Sequence, residues 1–263
     1  MIQFYKYHGA GNDFIMLNLI EEGIVLSQEQ IKQLCDRHKG IGADGLMLLL
    51  ASEESDFEMK YYNSDGCEGS MCGNGGRCIV SFAYDMGIVQ DDYAFMAVDG
   101  LHKAQILEIN GKQKQVKLQM IDVDMVSFVN GKMVIDTGSP HYLDFRDNVE
   151  DINVFDEGKA IRYSDKFKKN GVNVNFVESD GNQLYVRTYE RGVEDETLAC
   201  GTGVTAAAIA SCVRETMEYK VFDIKTKGGE LKVQFDTADG QKFTNIYLSG
   251  PAEFVYTGAI DIE

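Results

Sequence analysis

The sequence is short of positive charge: of 263 residues only 25 are Lys or Arg, against 42 Asp or Glu, for a formal net charge of −17. Nucleic acid and anionic membrane surfaces both attract proteins through a basic field. Neither is expected as a partner. No basic-plus-apolar leader opens the chain, and its longest apolar run, residues 46–51, is far shorter than the roughly 20 residues a membrane helix needs. These absences predict a soluble cytoplasmic protein whose partner is a small molecule.

Metal-binding spacings are missing too. The six cysteines fall at 35, 67, 72, 78, 200 and 212 with no C-x-x-C pair, and no histidine lies between Lys39 and Leu101 to complete a site around the cluster at 67–78. The sequence therefore predicts no metal, and free thiols in place of disulfides. Gly40-Ile41-Gly42-Ala43-Asp44-Gly45 matches a dinucleotide fingerprint in letters only. It follows a helical pattern and precedes a strand, the reverse of the order such a site requires, so it is read as a loop.

What the chain does contain is one stretch used twice. Cys72-Gly73-Asn74-Gly75 recurs as Cys200-Gly201-Thr202-Gly203, 128 residues later. Each copy follows an alternating strand-like run, residues 57–63 and 184–190, and opens a helix-like one. Gly100 and Gly228 each stand 28 residues after their cysteine, at turns between strand-like runs. This shared spacing predicts an internal duplication, with an N-terminal half at 1–116, joined by 251–263, and a C-terminal half at 117–250.

Strands are predicted at 1–8, 14–18, 46–50, 57–63, 93–98, 102–109 and 115–120 in the first half. In the second they fall at 132–136, 141–145, 172–177, 183–189, 219–226, 230–235, 244–248 and 252–256. Ser27 and Gln30 form a capping box for a helix running to a Gly40 C-cap, which makes His38 a helix-end residue. A short surface helix is predicted around 156–163, and residues 191–199 as a loop. The helices after Cys72, to about Met86, and after Gly203, to about Met217, carry so few charges that they must be enclosed on all sides. The fold class that follows is α+β, with two pseudo-symmetric halves, each a mixed, curled sheet wrapped around a central helix.

A cysteine at a helix mouth meets unpaired backbone N–H groups and the positive end of the helix dipole, conditions that can bring a thiol pKa down to about 3.5–7.5. The same groups with bare glycine backbone make a pocket suited to a carboxylate. Two such thiols on opposite sides of one α-carbon can remove a proton from one face and return one to the other. A lone cysteine before a helix is usually a small core residue. Two in matched Cys-Gly-x-Gly contexts favour chemistry, whereas Cys35, Cys78 and Cys212, with apolar helical neighbours, read as structural; Cys67 stays open.

Gly11-Asn12-Asp13-Phe14, Asn63-x-Asp65-Gly66, Cys72-Gly73-Asn74-Gly75-Gly76-Arg77-Cys78, Ser139-Pro140-His141 and Tyr189-Glu190-Arg191-Gly192 with Ala199-Cys200-Gly201-Thr202-Gly203 resemble diaminopimelate epimerase. The resemblance implies a cofactor-independent epimerase that interconverts LL- and meso-2,6-diaminopimelate on the way to lysine and the peptidoglycan cross-link, often as a homodimer. It implies Cys72 and Cys200 as the acid/base thiols, and Gly73, Asn74, Gly201 and Thr202 as holding the reacting carboxylate. Asn12, Asn63, Asn173, Glu190 and Arg191 would hold the distal amino-acid end, with His141 lining the site. The chain departs from the family at Ser139, where Asn is common, at Gly45, where Gln is frequent, and in the acidic loop 192–196. A racemase of another amino acid, as in the proline racemase group, and a non-catalytic thiol or metal-binding protein are the alternatives; a phenazine-type isomerase would not need both cysteines.

Overall fold

In the computed structural model, which describes residues 1–261 apart from 22, 70, 216 and 217, the chain divides into two units. One comprises Met1–Leu118 with Gly250–Glu263, the other Gln119–Ser249. Among the described residues no helix is long and apolar enough to cross a membrane.

The first unit starts with an antiparallel hairpin, β1 (Ile2–Gly9) and β2 (Asn12–Asn18). Helix α1 (Gln28–Cys35) leads to β3 (Gly45–Leu50), parallel to β2, and β4 (Phe57–Asn63) returns antiparallel. After α2 (Gly73–Asp85), β5 (Asp92–Ala97) lies parallel to β4, and β6 (Gly100–Asn110) and β7 (Gln113–Gln119) follow antiparallel.

The second unit runs through the same plan. A three-residue strand β8 (Ser127–Val129) precedes the hairpin of β9 (Lys132–Asp136) and β10 (Pro140–Phe145). Helix α3 (Val154–Arg162) leads to β11 (Asn173–Asp180), parallel to β10, and β12 (Gln183–Glu190) returns antiparallel. A short β13 (Asp195–Thr197) pairs with β12. After α4 (Gly201–Arg214) come β14 (Val221–Thr226), parallel to β12, then β15 (Gly229–Asp236) and β16 (Thr244–Ile260). The early part of β16 pairs with β15, and its later part belongs to the first unit, where it pairs with β1 from Glu253 to Ile260.

Each unit is organised by a helix with no solvent face. Residues 73–83 of α2 are all buried, as are all but Thr202 between 201 and 212 of α4. Small side chains make this possible: Gly75 and Gly76 let Met47 and Leu118 close on α2, and the buried Ala206, Ala207, Ala208 and Ala210 keep α4 slim. The first packs on β1, β2, β3 and β6, the second on β9 to β12, β14 and β15. The result is the α+β architecture with a sheet around a central helix in each unit. Cores of ordinary apolar packing cover the outer faces. Ile31, Leu34 and Cys35 of α1 meet Leu17, Leu19, Leu46 and Leu48, while Val154 of α3 packs with Phe176 and Tyr189.

Four local expectations need correction. Helix α1 stops at Cys35 and not near Gly40, because Asp36 leaves the helix with extended backbone and its Oδ1 accepts from the N–H groups of His38 and Lys39, both at 2.8 Å. Side-chain capping at that point substitutes a turn for the last helical turn, so His38 is not on the helix. The glycine matching Gly100 is Gly229 and not Gly228: Gly100 pairs with Ala97 and Gly229 with Thr226, at φ +121° and +143°, a region open to glycine alone. The two predicted strands 244–248 and 252–256 are one, β16, since Pro251 stands between its two pairing partners and interrupts neither ladder. Part of the loop 191–199 is β13. The predicted extension of α4 to Met217 lies partly outside the described residues.

Helix α3 approaches β12 closely at Gly158, where an added Cβ would overlap Tyr189 Cβ and come within 2.7 Å of its Cγ. Alanine gains about 1 kcal/mol of helix propensity over glycine, but overpacking against atoms this close to a backbone costs about 1–3 kcal/mol. Gly158→Ala is expected to lower stability by up to about 2 kcal/mol, read as a lower denaturation midpoint at unchanged m-value. A gain in stability would show that α3 can lift off β12 freely.

Candidate active site

In the first unit Cys72 is the N-cap of α2, in extended backbone at φ −107°, ψ 127°, and its side chain makes no capping bond to the helix. The sulfur therefore sits at the positive end of the dipole without consuming its N–H groups. A Cβ at Gly75 would run into Met47 Cε of β3, so that side chain would have to move aside. Cys72 Sγ donates to Asn12 Oδ1 at 3.7 Å. The orientation of that amide is fixed from behind, since Asn12 Nδ2 donates to Asp44 Oδ2 at 2.5 Å and a carboxylate can only accept. Asp44 and Asp13 are tied in turn by Arg37, with bonds of 2.7 Å to each, and Lys6 reaches Asp13 at 2.8 Å. Burial works against ionising Asp13, yet Arg37 and Lys6 hold its carboxyl at about 2. Asn74 is buried, its Oδ1 accepting from Arg77 Nη2 at 2.9 Å. Asn63 is exposed at the end of β4.

In the second unit Cys200 is the N-cap of α4, again extended and again without a capping bond, and only 6% exposed. Here the sulfur joins a chain of buried polar groups. Cys200 Sγ lies 3.5 Å from Thr202 Oγ1, which is 2.9 Å from His141 Nε2. On the far side of the ring Asn175 Nδ2 is 3.1 Å from His141 Nδ1 and donates also to the Tyr142 carbonyl, while Asn175 Oδ1 accepts from Thr188. A carbonyl accepts only, so the Asn175 nitrogen faces His141 and donates to Nδ1. The neutral ring therefore carries its proton on Nε2 and donates to Thr202, whose own hydroxyl proton is left to point at the sulfur. Burial, with the charge of Arg191 adding to it, brings His141 down to about 3 and keeps it neutral.

Asn173, directly beside His141 in the parallel register of β10 and β11, connects this chain to Arg191. Its Nδ2 donates to Ser139 Oγ at 2.9 Å and its Oδ1 accepts from the Arg191 backbone N–H at 2.8 Å, while Arg191 Nη2 donates to Ser139 Oγ at 3.2 Å. The shorter Ser139 thus still links Asn173 and Arg191. Glu190 accepts from Thr197 on β13. Gly45 has no room for any side chain, since a Cβ would come within 2.5 Å of the Tyr61 ring and of the Tyr62 carbonyl.

Sequence reasoning missed Asn175, Thr188, Arg77 and Asp44. Asn175 carried a signal: it stands two residues after Asn173, on the same face of one strand. Arg77 carried the opposite signal, because a charged residue in a helix usually faces water. Cys35, Cys78 and Cys212 are buried, and Cys67 is exposed, its sulfur accepting from Gln28. Among the described residues no three metal-capable side chains gather.

The sequence profile of the diaminopimelate epimerase family matches residues 4–126 and again residues 133–255. The chain belongs to the diaminopimelate epimerase family. It is 46% identical over 261 residues to the diaminopimelate epimerase of Flavobacterium psychrophilum, covering 98% of this chain and 100% of that one. To the enzyme of that name from Chlorobaculum tepidum it is 42% identical over 265 residues, covering 97% and 99%. The fold extends further than the sequence. A phenazine biosynthesis protein of Bacillus anthracis superimposes with a TM-score of 0.77 at 15% identity, over 99% of both chains. A probable proline racemase of Agrobacterium radiobacter does so with a TM-score of 0.71 at 15% identity, over 100% of this chain and 94% of that one. Membership of the diaminopimelate epimerase family makes the chain an isomerase and gives the twofold match a physical counterpart in the repeated strand and helix order of the two units.

The buried His141 has a consequence for stability. Its folded pKa, about 3, lies below the value of about 6.5 for a free imidazole. Between those values the unfolded chain binds the extra proton, so the contribution is complete above about pH 6.5 and is lost as pH falls toward 3. His141→Gln should flatten the dependence of unfolding free energy on pH in this window by up to about 1.4 kcal/mol per pH unit. An unchanged slope in urea titrations across the window would mean that the ring is solvated.

Proposed function

We propose that the chain interconverts LL- and meso-2,6-diaminopimelate by moving the proton at one α-carbon, with Cys72 and Cys200 as the two acid/base groups, as a step toward lysine and the peptidoglycan cross-link. The observation that carries the reading is the pair of N-cap cysteines. Each stands at the mouth of a helix buried along most of its length with a glycine-lined first turn, and the family profile repeats once for each.

In this reading one cysteine enters the reaction as thiolate and the other as thiol. The thiolate takes the α-proton, leaving the bond's electron pair on carbon and the adjacent carboxylate; the opposite thiol then gives its proton to the other face. The stereocentre inverts, no atom is gained or lost, and the two sulfurs exchange protonation states, which readies the site for the reverse direction. Negative charge that develops on the carboxylate would be met by N–H groups at the helix starts, around Gly73 and Asn74 and around Gly201 and Thr202, aimed before the reaction begins.

The distal amino-acid end would be held by Asn12, Asn63, Asn173, Glu190 and Arg191. Support comes from the Ser139–Asn173–Arg191 group, in which Asn173 and Ser139 hold an exposed guanidinium suited to a second carboxylate. That second end favours diaminopimelate over a proline-like substrate, which has none. A cytoplasmic homodimer acting without an added cofactor completes the proposal.

Incubation with LL-diaminopimelate in deuterated water should place deuterium at the α position with inversion to the meso form. Cys72→Ala and Cys200→Ala should each lower turnover by at least about 100-fold, the scale of a lost acid/base group. Full epimerisation by either single variant would end the two-thiol mechanism, and absence of exchange with this substrate but exchange with proline would move the chain to the racemase alternative.

A further inference from the structure

The two units share a backbone plan but differ beneath their cysteines. Arg77 of α2 is fully buried, with 0% of its surface exposed. Its guanidinium donates to the Gly73 carbonyl at 3.0 Å, to Asn74 Oδ1 at 2.9 Å and to the Pro251 carbonyl at 3.5 Å. All three acceptors are neutral, and among the described residues no carboxylate lies within ion-pair distance of it. At the matching place in α4, 128 residues on, stands Thr205, whose hydroxyl donates to the Gly201 carbonyl at 2.9 Å. One helix start thus has a full cation bonded to its first carbonyl, and the other has a hydroxyl there.

A buried charge without an anion is costly, so its electrostatic partner has to be sought nearby. Two thiols flank the start of the helix that Arg77 holds: Cys72, the N-cap directly before the Gly73 carbonyl, and Cys78, its neighbour in the chain. Cys78 is enclosed in the core, and burial lifts its thiol to about 12 in spite of the arginine, which leaves it neutral. Cys72, half-buried at the dipole's positive end, remains.

We infer that Arg77 is a positioning residue that makes the two thiols unequal, with Cys72 the sulfur that is ionised in the substrate-free protein and Cys200 the one that keeps its proton. This rests on the two-thiol reading above. Arg77 also fixes the Asn74 amide by donating to its Oδ1.

Other groups near the sulfurs bear on the same balance. Asn12 Oδ1, held by Asp44, accepts from Cys72 and favours its thiol form, and Thr202 favours the thiolate form of Cys200. Both are long contacts to sulfur, weaker than a full charge in a buried setting. Of the other charged side chains on α2 and the strands packed on it, Lys6 is paired with Asp13, His102 with Asp99, His8 with Glu253 and Asp85 with Lys114, while Lys103 and Glu108 are exposed. Tyr7 of β1 stays neutral, its pKa raised by burial and by Asp85. Around α4, His141 is neutral, Asp144 is paired with Lys132 and Arg146, Arg187 is paired with Glu196, Glu190 accepts from Thr197, and the Arg191 guanidinium is exposed to solvent, which screens its charge.

The test is alkylation of the intact, substrate-free protein by iodoacetamide across pH, with Cys72 and Cys200 peptides quantified separately and each profile scaled to its own plateau. The Cys72 midpoint is expected about one pH unit or more below that of Cys200, a tenfold difference in thiolate at a given pH. A Cys72 midpoint equal to or above that of Cys200 overturns the inference. Arg77→Met should raise the Cys72 midpoint by about one unit and leave Cys200 in place, with Arg77→Lys recovering most of the shift; an unmoved Cys72 midpoint in a folded Arg77→Met protein also overturns it. Should the Met variant not fold, the wild-type comparison still decides. Alkylation needs no turnover, so a protein that fails to epimerise diaminopimelate can still pass this test, and one that epimerises it can fail.

Discussion

A helix buried on every face cannot hide its ends. Its first N–H groups have no intrahelical acceptor, and in this protein the residues that could have capped them with a side chain are cysteines, which do not. Those groups are left to whatever occupies the mouth of the helix. Much of the rest follows from allowing that end to stay open while the body of the helix is sealed. The sealing needs strands on all sides, hence a curled sheet. Close strands need small helix residues, hence the glycines of α2 and the alanines of α4. An approach such as Met47 against Gly75, or Asn175 against Gly203, leaves no space for a Cβ. The chemistry of the cysteine and the packing of the core are therefore one constraint seen from two directions.

Duplication of that plan supplied two copies, and divergence then altered what stands behind each. The hairpin turn before the sulfur holds Asn12 in one unit and Ser139 in the other, and Phe14 gives way to His141 at the residue paired with the start of the following strand. Met47 below the first helix is matched by Asn175 below the second. In the first unit the amide that meets the sulfur is steered by a charged cluster near the surface. In the second a hydroxyl is steered by a neutral histidine in the interior. The backbone is conserved between the units because strand closure on a helix leaves it little choice, while the polar residues around the sulfurs have diverged because several arrangements satisfy the same buried groups.

Much of this was legible in the chain. The capping box of Ser27 and Gln30 forms as read, the uncharged runs after the two cysteines are the enclosed helices, and alternation located nearly every strand. Errors fell where a local signal lost to a neighbour. Asp36 ended α1 before Gly40 could, β13 gained its pairing only once β12 was in place, and Pro251 joined two strands that composition would separate. At the site, residue types with a distinctive motif were found and those without one were not. Asn175 and Thr188 are ordinary strand residues until the fold brings them to the ring of His141. Arg77 reads as a surface charge until its helix is seen to have no surface.

Those late-appearing residues explain how the second site can be both buried and polar. Unpaired, the His141 ring, two asparagine amides and two threonine hydroxyls would each cost about 1–3 kcal/mol of desolvation. Paired as they are, each donor has an acceptor, and the pattern permits few rearrangements: turning the Asn175 amide would set its oxygen against the Tyr142 carbonyl and remove the donor from His141 Nδ1. The low exposure that makes the network demanding also makes it directional, because the enclosed His141 ring keeps its hydrogen bonds strong and its orientation fixed. A solvated version of the same residues would be easier to fold and would present the sulfur with no fixed donor. Burial, which burdens the stability of this unit, is thus also what gives its thiol a defined environment.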